Sequence, residues 1–191
     1  FDPVADQTVT AITTDDDVAG FTIVESAGST SVAETGTTDT FTVVLTAQPV
    51  SDVVLTVTSS DTGEATVNSP LTFTPLNWNT AQTVTVTGVD DNLIDGTTSS
   101  TVTVAVNDGS SDNDFDAVAD KTVTATTTDN DVAGFTVAQT GGSTSVAETG
   151  TTDTFTIVLN AQPASNVVLT VTSNDTGETT VNTPLTFTNA N

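Results

Sequence analysis

The residues able to do chemistry in this chain are carboxylates, and they stand in short polar segments between apolar ones. Glu34 lies in SVAETG, Asp61 in SSDTGE, Asp90, Asp91 and Asp95 in VDDNLIDG, and Asp129 and Asp131 in TTTDND. Oxygen ligands of this kind, several of them acidic and carried on adaptable loops, suit Ca²⁺, which takes about six to eight oxygens. Mg²⁺ demands a tighter octahedron and keeps more water. The chain has no His and no Cys, so the side chains that hold zinc or copper are missing. With a single basic residue, Lys121, there is also no Arg, and the usual bases, nucleophiles and oxyanion clamps of enzymes are absent. A glycosidase-like carboxylate pair is the one catalytic arrangement left. Short loops copied along a repeat give it no pocket, and the chain is expected not to be an enzyme.

For these acids to meet, the strands between them must deliver their loops to one end of a fold. Alternating apolar and polar residues mark seven short strands, because successive side chains in a strand point to opposite faces. Their inward residues are Phe21 and Ile23; Phe41, Val43 and Leu45; Val53, Leu55 and Val57; Leu71 and Phe73; Val84 and Val86; Val102, Val104 and Val106; and Val123 and Ala125. Turns rich in Gly, Pro, Asn and Asp separate them, which predicts an all-β, two-sheet antiparallel sandwich with Thr facing water. Trp78, the only Trp, is expected to plug one end of the core. If the strands alternate in direction, the loops after the first, third, fifth and seventh emerge together, and the seven acids converge on one pole. Two carboxylates about 5 Å apart repel by roughly 3 kcal/mol at an effective dielectric near 20. Without a cation such a cluster splays its loops or raises its pKa values. The alternative is that these acids are solvated turn residues satisfying local backbone. A chain reversal at Asn68, Ser69 and Pro70 would also add a strand and undo the match of ends.

The pattern recurs. Phe135 minus Phe21 gives a period of 114 residues, FDAVADKTV at Phe115 restates FDPVADQTV at Phe1, and residues 115–191 replay residues 1–77 at roughly three quarters identity. The expected organisation is the last strand and acidic joint of a preceding repeat over residues 1–17, a complete sandwich over 18–131, and the first part of the next over 132–191. Neither end falls at a unit boundary, so the chain is expected to be a slice of a longer protein. Asp15, Asp16 and Asp17 would then belong to the preceding joint, and Glu148 and Asp175 to the following one. The acidic loop over residues 108–116 should lie at the opposite pole, either solvated or lending a ligand to the preceding joint. Lys121 has Gln7 as its counterpart, so a crosslink built on it would not recur.

In order, SVAETG, SDTGEATV, TFTP with TVTVTG, VDDNLIDG and TTTDND resemble the Calx-beta repeat and its relatives in large bacterial surface proteins. The resemblance spans the whole period. It implies tandem immunoglobulin-like antiparallel β-sandwich repeats of about 114 residues, with Ca²⁺ at one pole between one domain and the next. By motif position Glu34 matches the first-loop acid, Asp90, Asp91 and Asp95 the acids after the fifth strand, and Asp129 and Asp131 the terminal acidic run. Two departures are plain: Thr97 and Thr98 follow Gly96 where relatives often carry more acid, and Asn130 stands at the centre of the terminal run. The acidic loops lack the spacing and flanking helices of an EF-hand.

A formal net charge of −24 repels nucleic-acid phosphates and anionic membranes, and no apolar run is long enough for a membrane span. Expected partners are neighbouring repeats of the same chain, other copies in a filament, and in one alternative a surface glycan. The function expected is a structural repeat of a long extracellular stalk or filament at a bacterial cell surface, rigidified by Ca²⁺ at its joints. The alternative is an adhesin module that binds glycan or ice through Thr-rich faces or the Ca²⁺ pole.

Overall fold

A computed structural model describes residues 4–190. Phe1, Asp2 and Pro3, which open the first copy of the repeated motif, and Asn191, the last residue of the third segment, lie outside the described residues. Residues 18–131 hold β1 (Phe21–Glu25), β2 (Thr30–Ala33), β3 (Thr38–Leu45), β4 (Val53–Ser59), β5 (Ala65–Val67), β6 (Leu71–Phe73), β7 (Gln82–Gly88), β8 (Thr98–Val106) and β9 (Lys121–Thr128). One sheet runs β1-β3-β7-β5 and the other β2-β9-β8-β4-β6. Helical structure among the described residues is limited to three-residue 3-10 turns. The all-β sandwich is therefore the fold.

The strand count differs from the sequence reading, nine against seven: the first expected strand, Phe21 and Ile23, continues across a break as β2, and the fourth, Leu71 and Phe73, is preceded across a break by β5, each break passing the chain from one sheet to the other. The first breaks at Ser26–Gly28, where Ala27 and Gly28 take positive φ values of 53° and 79°. Asp39 holds that crossing, accepting hydrogen bonds from the Ser26 hydroxyl at 2.6 Å and the Ser31 amide at 2.8 Å. The fourth breaks at Asn68, Ser69 and Pro70, where Pro cannot donate to a ladder. There the Asn68 side-chain oxygen accepts from the Thr85 amide of β7, and the Ser69 hydroxyl accepts from the Val57 amide of β4 at 2.9 Å. Side chains thus stand in for the ladder on both sheets. Neither break reverses the chain: β5 is antiparallel to β7 and β6 is antiparallel to β4, so the ends of the sandwich still match. A second correction is that the sandwich is not wholly antiparallel. β2 pairs parallel to β9, from Thr30↔Ala125 to Ala33↔Thr128.

The core contains the residues that alternation marks and adds three that it did not, Val32, Ala65 and Phe115. Phe21, Phe41, Val43, Leu45, Val53, Leu55, Val57, Leu71, Phe73, Val84, Val86, Val102, Val104, Val123 and Ala125 are buried, with Ile23 and Val106 at its margin. Trp78 packs against it at the end where β3 finishes, its carbonyl accepting the Leu45 amide at 3.2 Å. Two threonines expected to face water are buried instead. Thr30 donates to a Glu25 carboxylate oxygen at 2.8 Å and Thr127 to the Glu64 carbonyl at 3.3 Å. The loop over residues 108–116 is also corrected at one position. Asp112 is buried and accepts from the amides of Val50, Ser51 and Asp114 at 2.7, 2.8 and 3.1 Å, so it clips two loops together rather than facing water or a neighbour.

Beyond Asp131 the chain forms β10 (Phe135–Gln139), β11 (Phe155–Leu159), β12 (Val167–Leu169) and β13 (Leu185–Phe187). Phe135 pairs with Leu159 as Phe21 pairs with Leu45, and Val167 pairs with Phe187 as Val53 pairs with Phe73, each partner 114 positions on. Asp153 accepts the Ser145 and Thr154 amides just as Asp39 accepts those of Ser31 and Thr40. Residues 4–17, which replay the sequence of β9 and its acidic joint, form no strand and are exposed.

Candidate metal centre

Four loops meet at the pole where β2, β4, β7 and β9 end. Hydrogen bonds tie them together: the Glu34 amide donates to the Thr128 carbonyl at 3.1 Å, Gly88 to Thr37 at 3.0 Å and Val89 to Glu64 at 2.9 Å. Gly88 is required by the close approach of two backbones. A Cβ there would stand 2.1 Å from the Ala33 carbonyl oxygen, so any side chain would push the loop of Glu34 away from the end of β7.

Extending the β2 to β9 pairing by one residue carries Glu34 into the protein, where it is buried and accepts the Asn130 amide at 3.1 Å. Asp129, one residue past β9, accepts the Asp131 amide at 2.6 Å on one oxygen and the Gly96 amide at 2.9 Å on the other. This fastens the outgoing chain to the loop after β7. Asn130 spans two acids, its backbone amide on Glu34 and its side-chain amide on Asp90 at 2.8 Å. An amide at the centre of the acidic run supplies donors that a third Asp would lack. Glu64 is buried beside them and accepts the Thr98 hydroxyl.

Two trios of carboxylates result. Oxygens of Glu34, Asp129 and Asp131 lie within 4.8 Å of one another, and so do oxygens of Glu34, Glu64 and Asp95. Calcium-to-oxygen distances of about 2.3–2.6 Å place two ligands of one ion no more than roughly 5 Å apart, so each trio fits a single coordination sphere. Glu34 is common to both. One oxygen of Asp131 is buried with no hydrogen-bond partner. Buried polar atoms are nearly always satisfied, and an orphaned carboxylate oxygen beside two other carboxylates fits a cation as its partner.

The electrostatics follow from this crowding. Burial pushes the Glu34 carboxyl above its ordinary range, against the pull of the Asn130 amide, and Asp129, Asp91 and Asp95 push the same way. Asp131 is raised by burial and then by Asp129, Asp90, Asp91 and Asp95. For Glu64 the Thr98 hydroxyl pulls down, yet burial with Asp95 and Asp61 outweighs it and the net shift is upward. Asp129 is held below its ordinary range by the amides of Asp131 and Gly96.

Of the seven acids marked in the sequence, Glu34, Asp95, Asp129 and Asp131 enter the trios. Asp90 and Asp91 stand at the same pole, but Asp90 is engaged by Asn130 and Asp91 accepts the Leu93 amide at 2.7 Å within its own loop. Asp61 accepts the Gly63 amide at 3.0 Å and serves its turn. Glu64 takes the place the sequence reading gave to Asp61. The signal was present in SDTGE: an Asp two residues before Gly is committed to the turn, which leaves the Glu after the Gly as the inward carboxylate. Asp175 repeats the turn contact with Gly177 at 3.0 Å, and Asp15 accepts the Asp17 amide at 3.1 Å as Asp129 accepts that of Asp131.

The sequence matches no family model and no curated protein. Solved structures similar to it include the apo form of the Calx CBD1 domain, at 14% identity over 58% of this chain and 98% of that one with a TM-score of 0.41. CBD12 from CALX1.2 matches at 18% identity over 62% of this chain and 47% of its own, with a TM-score of 0.40. SSP-19, an MSP-domain protein like family member in Caenorhabditis elegans, matches at 18% identity over 53% of this chain and 92% of its own, with a TM-score of 0.34.

Proposed function

We propose that the acidic pole binds Ca²⁺ and that the chain is a structural repeat of a long extracellular stalk or filament of a bacterial surface, stiffened at its joints by that ion. The observation that carries the reading is the buried, unpartnered oxygen of Asp131, a residue whose carboxylate groups with those of Glu34 and Asp129. Bound there, the ion would supply positive charge to the one Asp131 oxygen that has lost water and has no other donor, and to carboxylates that share their crowded pole. Glu34, Asp129 and Asp131 would hold one ion, and Glu34, Glu64 and Asp95 a second, with Glu34 shared. Ligands made only of oxygen, on loops rather than helices, favour Ca²⁺ over Mg²⁺.

The mechanical consequence lies in the chain order. Asp129 and Asp131 immediately precede the connection at residues 132–134, and Asp129 is already bonded to the loop after β7 through Gly96. An ion on both acids fixes the direction in which the chain leaves the sandwich. Neighbouring units and, in a filament, other copies are the partners this implies. The resemblance of the motif order to the Calx-beta repeat and the absence of His, Cys and Arg favour a structural role over an enzymatic one.

Melting temperature and small-angle scattering of the 191-residue chain, with Ca²⁺, with Mg²⁺ and after chelation, test the reading. At a Ca²⁺ concentration about a hundredfold above Kd, stability should rise by about 2.7 kcal/mol, because the ion binds only the folded chain. The particle should lengthen under the same condition and not with Mg²⁺. If neither quantity responds to Ca²⁺, the acids are solvated turn residues and the Thr-covered faces become the surface to examine.

A further inference from the structure

Asp90 and Asp91 stand at the metal centre and yet belong to neither carboxylate trio. Both are among the charges that push the Asp131 carboxyl up, so they lie near the ligands without joining them. What engages Asp90 instead is one side chain. The Asn130 side-chain amide donates to Asp90 Oδ1 at 2.8 Å, while the Asn130 backbone amide donates to Glu34 at 3.1 Å. Asn130 is thereby fixed at both ends, between the acid common to the two trios and an acid outside them. Its counterpart 114 positions earlier is Asp16, so the two acidic runs, residues 15–17 and 129–131, differ only at this residue.

We infer that Asn130 sets the number of ions the pole accepts: its side-chain amide occupies Asp90 and keeps it out of the coordination spheres around Glu34, so that this joint stops at the ions of the two trios. The inference rests on the metal reading, because it concerns how many ions that pole holds. A neutral amide has this effect because it presents two N–H donors where a carboxylate would present acceptors alone. With Asp at position 130 the same placement would set a carboxylate oxygen about 3 Å from the Asp90 oxygen, and two such charges repel unless a cation lies between them. That spacing is also within the roughly 5 Å that can separate two ligands of one calcium ion. Aspartate would thus turn the Asp90 contact from a hydrogen bond into half of a further site. Because the charge count of its ligands tunes the affinity of a calcium site, joints built on DND and on DDD runs would fill to different extents at one Ca²⁺ concentration.

Counting bound Ca²⁺ by equilibrium dialysis of the 191-residue chain, beside melts of the metal-free protein, provides the test. Asn130→Asp keeps the backbone amide on Glu34 and should bind one ion more than the unaltered chain. Without metal it should melt at a lower temperature, having exchanged a donor for a like charge. Combining it with Asp90→Asn puts an amide opposite a carboxylate again, and should return both the ion count and the metal-free melt to those of the unaltered chain. Asn92→Asp adds the same charge to the same loop, two residues from Asp90, and should leave the count as it is. An unchanged count in Asn130→Asp, an equal gain in Asn92→Asp, or a gain that survives the exchanged pair would overturn the inference, while ions bound by the unaltered chain keep the metal reading standing. An unaltered chain that binds no Ca²⁺ would overturn the metal reading itself and the inference with it.

Discussion

Glu34 combines near-complete burial with a hydrogen bond from the Asn130 amide and the close approach of the Asp129 carboxylate. A group placed this way is a burden without an ion and a ligand with one, so its substitution should change sign with the metal. Glu34→Gln is expected to raise the melting temperature of the metal-free chain and to lower Ca²⁺ affinity roughly 100-fold, since affinity follows the charge count of the ligands. Calorimetric titration and parallel melts check both halves; a variant destabilised equally with and without Ca²⁺ would mean that Glu34 is only structural. The pH dependence carries the same signature. Glu34, Glu64 and Asp131 sit above the ordinary values of 4.5 for Glu and 3.8 for Asp, so the folded chain holds their protons more tightly than the unfolded one. Their burden is fully present at neutral pH and is relieved as pH falls through their raised values. Asp39, Asp112, Asp129 and Asp153 lie below 3.8, and the stability they contribute is lost only as pH falls below that value. Metal-stripped protein should therefore be most stable at mildly acidic pH, between these two windows. Saturating Ca²⁺ should move the optimum toward neutrality, because protons compete with the ion. An optimum that does not move would count against the site.

At the scale of elements, the pole is assembled by the end of β7 lying against the loop that follows β2. Gly88→Ala tests that contact, because its Cβ would meet the Ala33 carbonyl oxygen and backbone must yield on one side. The cost should be about 1–3 kcal/mol, the usual range for overpacking, with a loss of several degrees in melting temperature. Ca²⁺ affinity should fall with it, since Glu34 follows Ala33 directly. Gly109→Ala is the control: the nearest atom to its Cβ is the Asn107 side-chain oxygen at 3.9 Å, and the change should stay within about 0.5 kcal/mol. If both variants behave alike, the approach of β7 to that loop is not what holds the pole.

For the whole molecule the dominant quantity is a net charge of −24, balanced among the described residues by no ion pair of the one Lys. Lys121 instead donates to the Phe21 carbonyl and lies 5.3 Å from the centre of the Phe21 ring, at the start of β1. Self-repulsion at this level should respond to any salt, since the Debye length shortens to about 3 Å at 1 M. Monovalent salt is therefore expected to raise the melting temperature of the metal-free chain without lengthening the particle. Ca²⁺ should do both, because only a ligated ion orders the connection at residues 132–134. Scattering profiles in NaCl and in CaCl₂ at matched ionic strength separate the two effects, and equal particle lengths would leave only screening.

What the sequence by itself determined is what repeats along one dimension. Alternation placed nearly every core residue from Phe21 to Ala125, because the side-chain period of a strand is local and independent of which sheet the strand joins. The matched loop ends followed from the same alternation and survived two added strands, since each break changes the sheet and keeps the direction. The tertiary structure decided where the breaks fall, because a sheet switch depends on which side chains can replace ladder hydrogen bonds, as Asn68 and Ser69 do on opposite sheets. It also chose Glu64 over Asp61 and gave Asn130 its place between two acids. Whether a carboxylate faces a turn, a neighbouring amide or another carboxylate depends on groups tens of residues away, such as Thr98 for Glu64 and Glu34 for Asn130. Spacing along the chain holds no record of those partners, because they meet only when the loops of four strands are brought to one end.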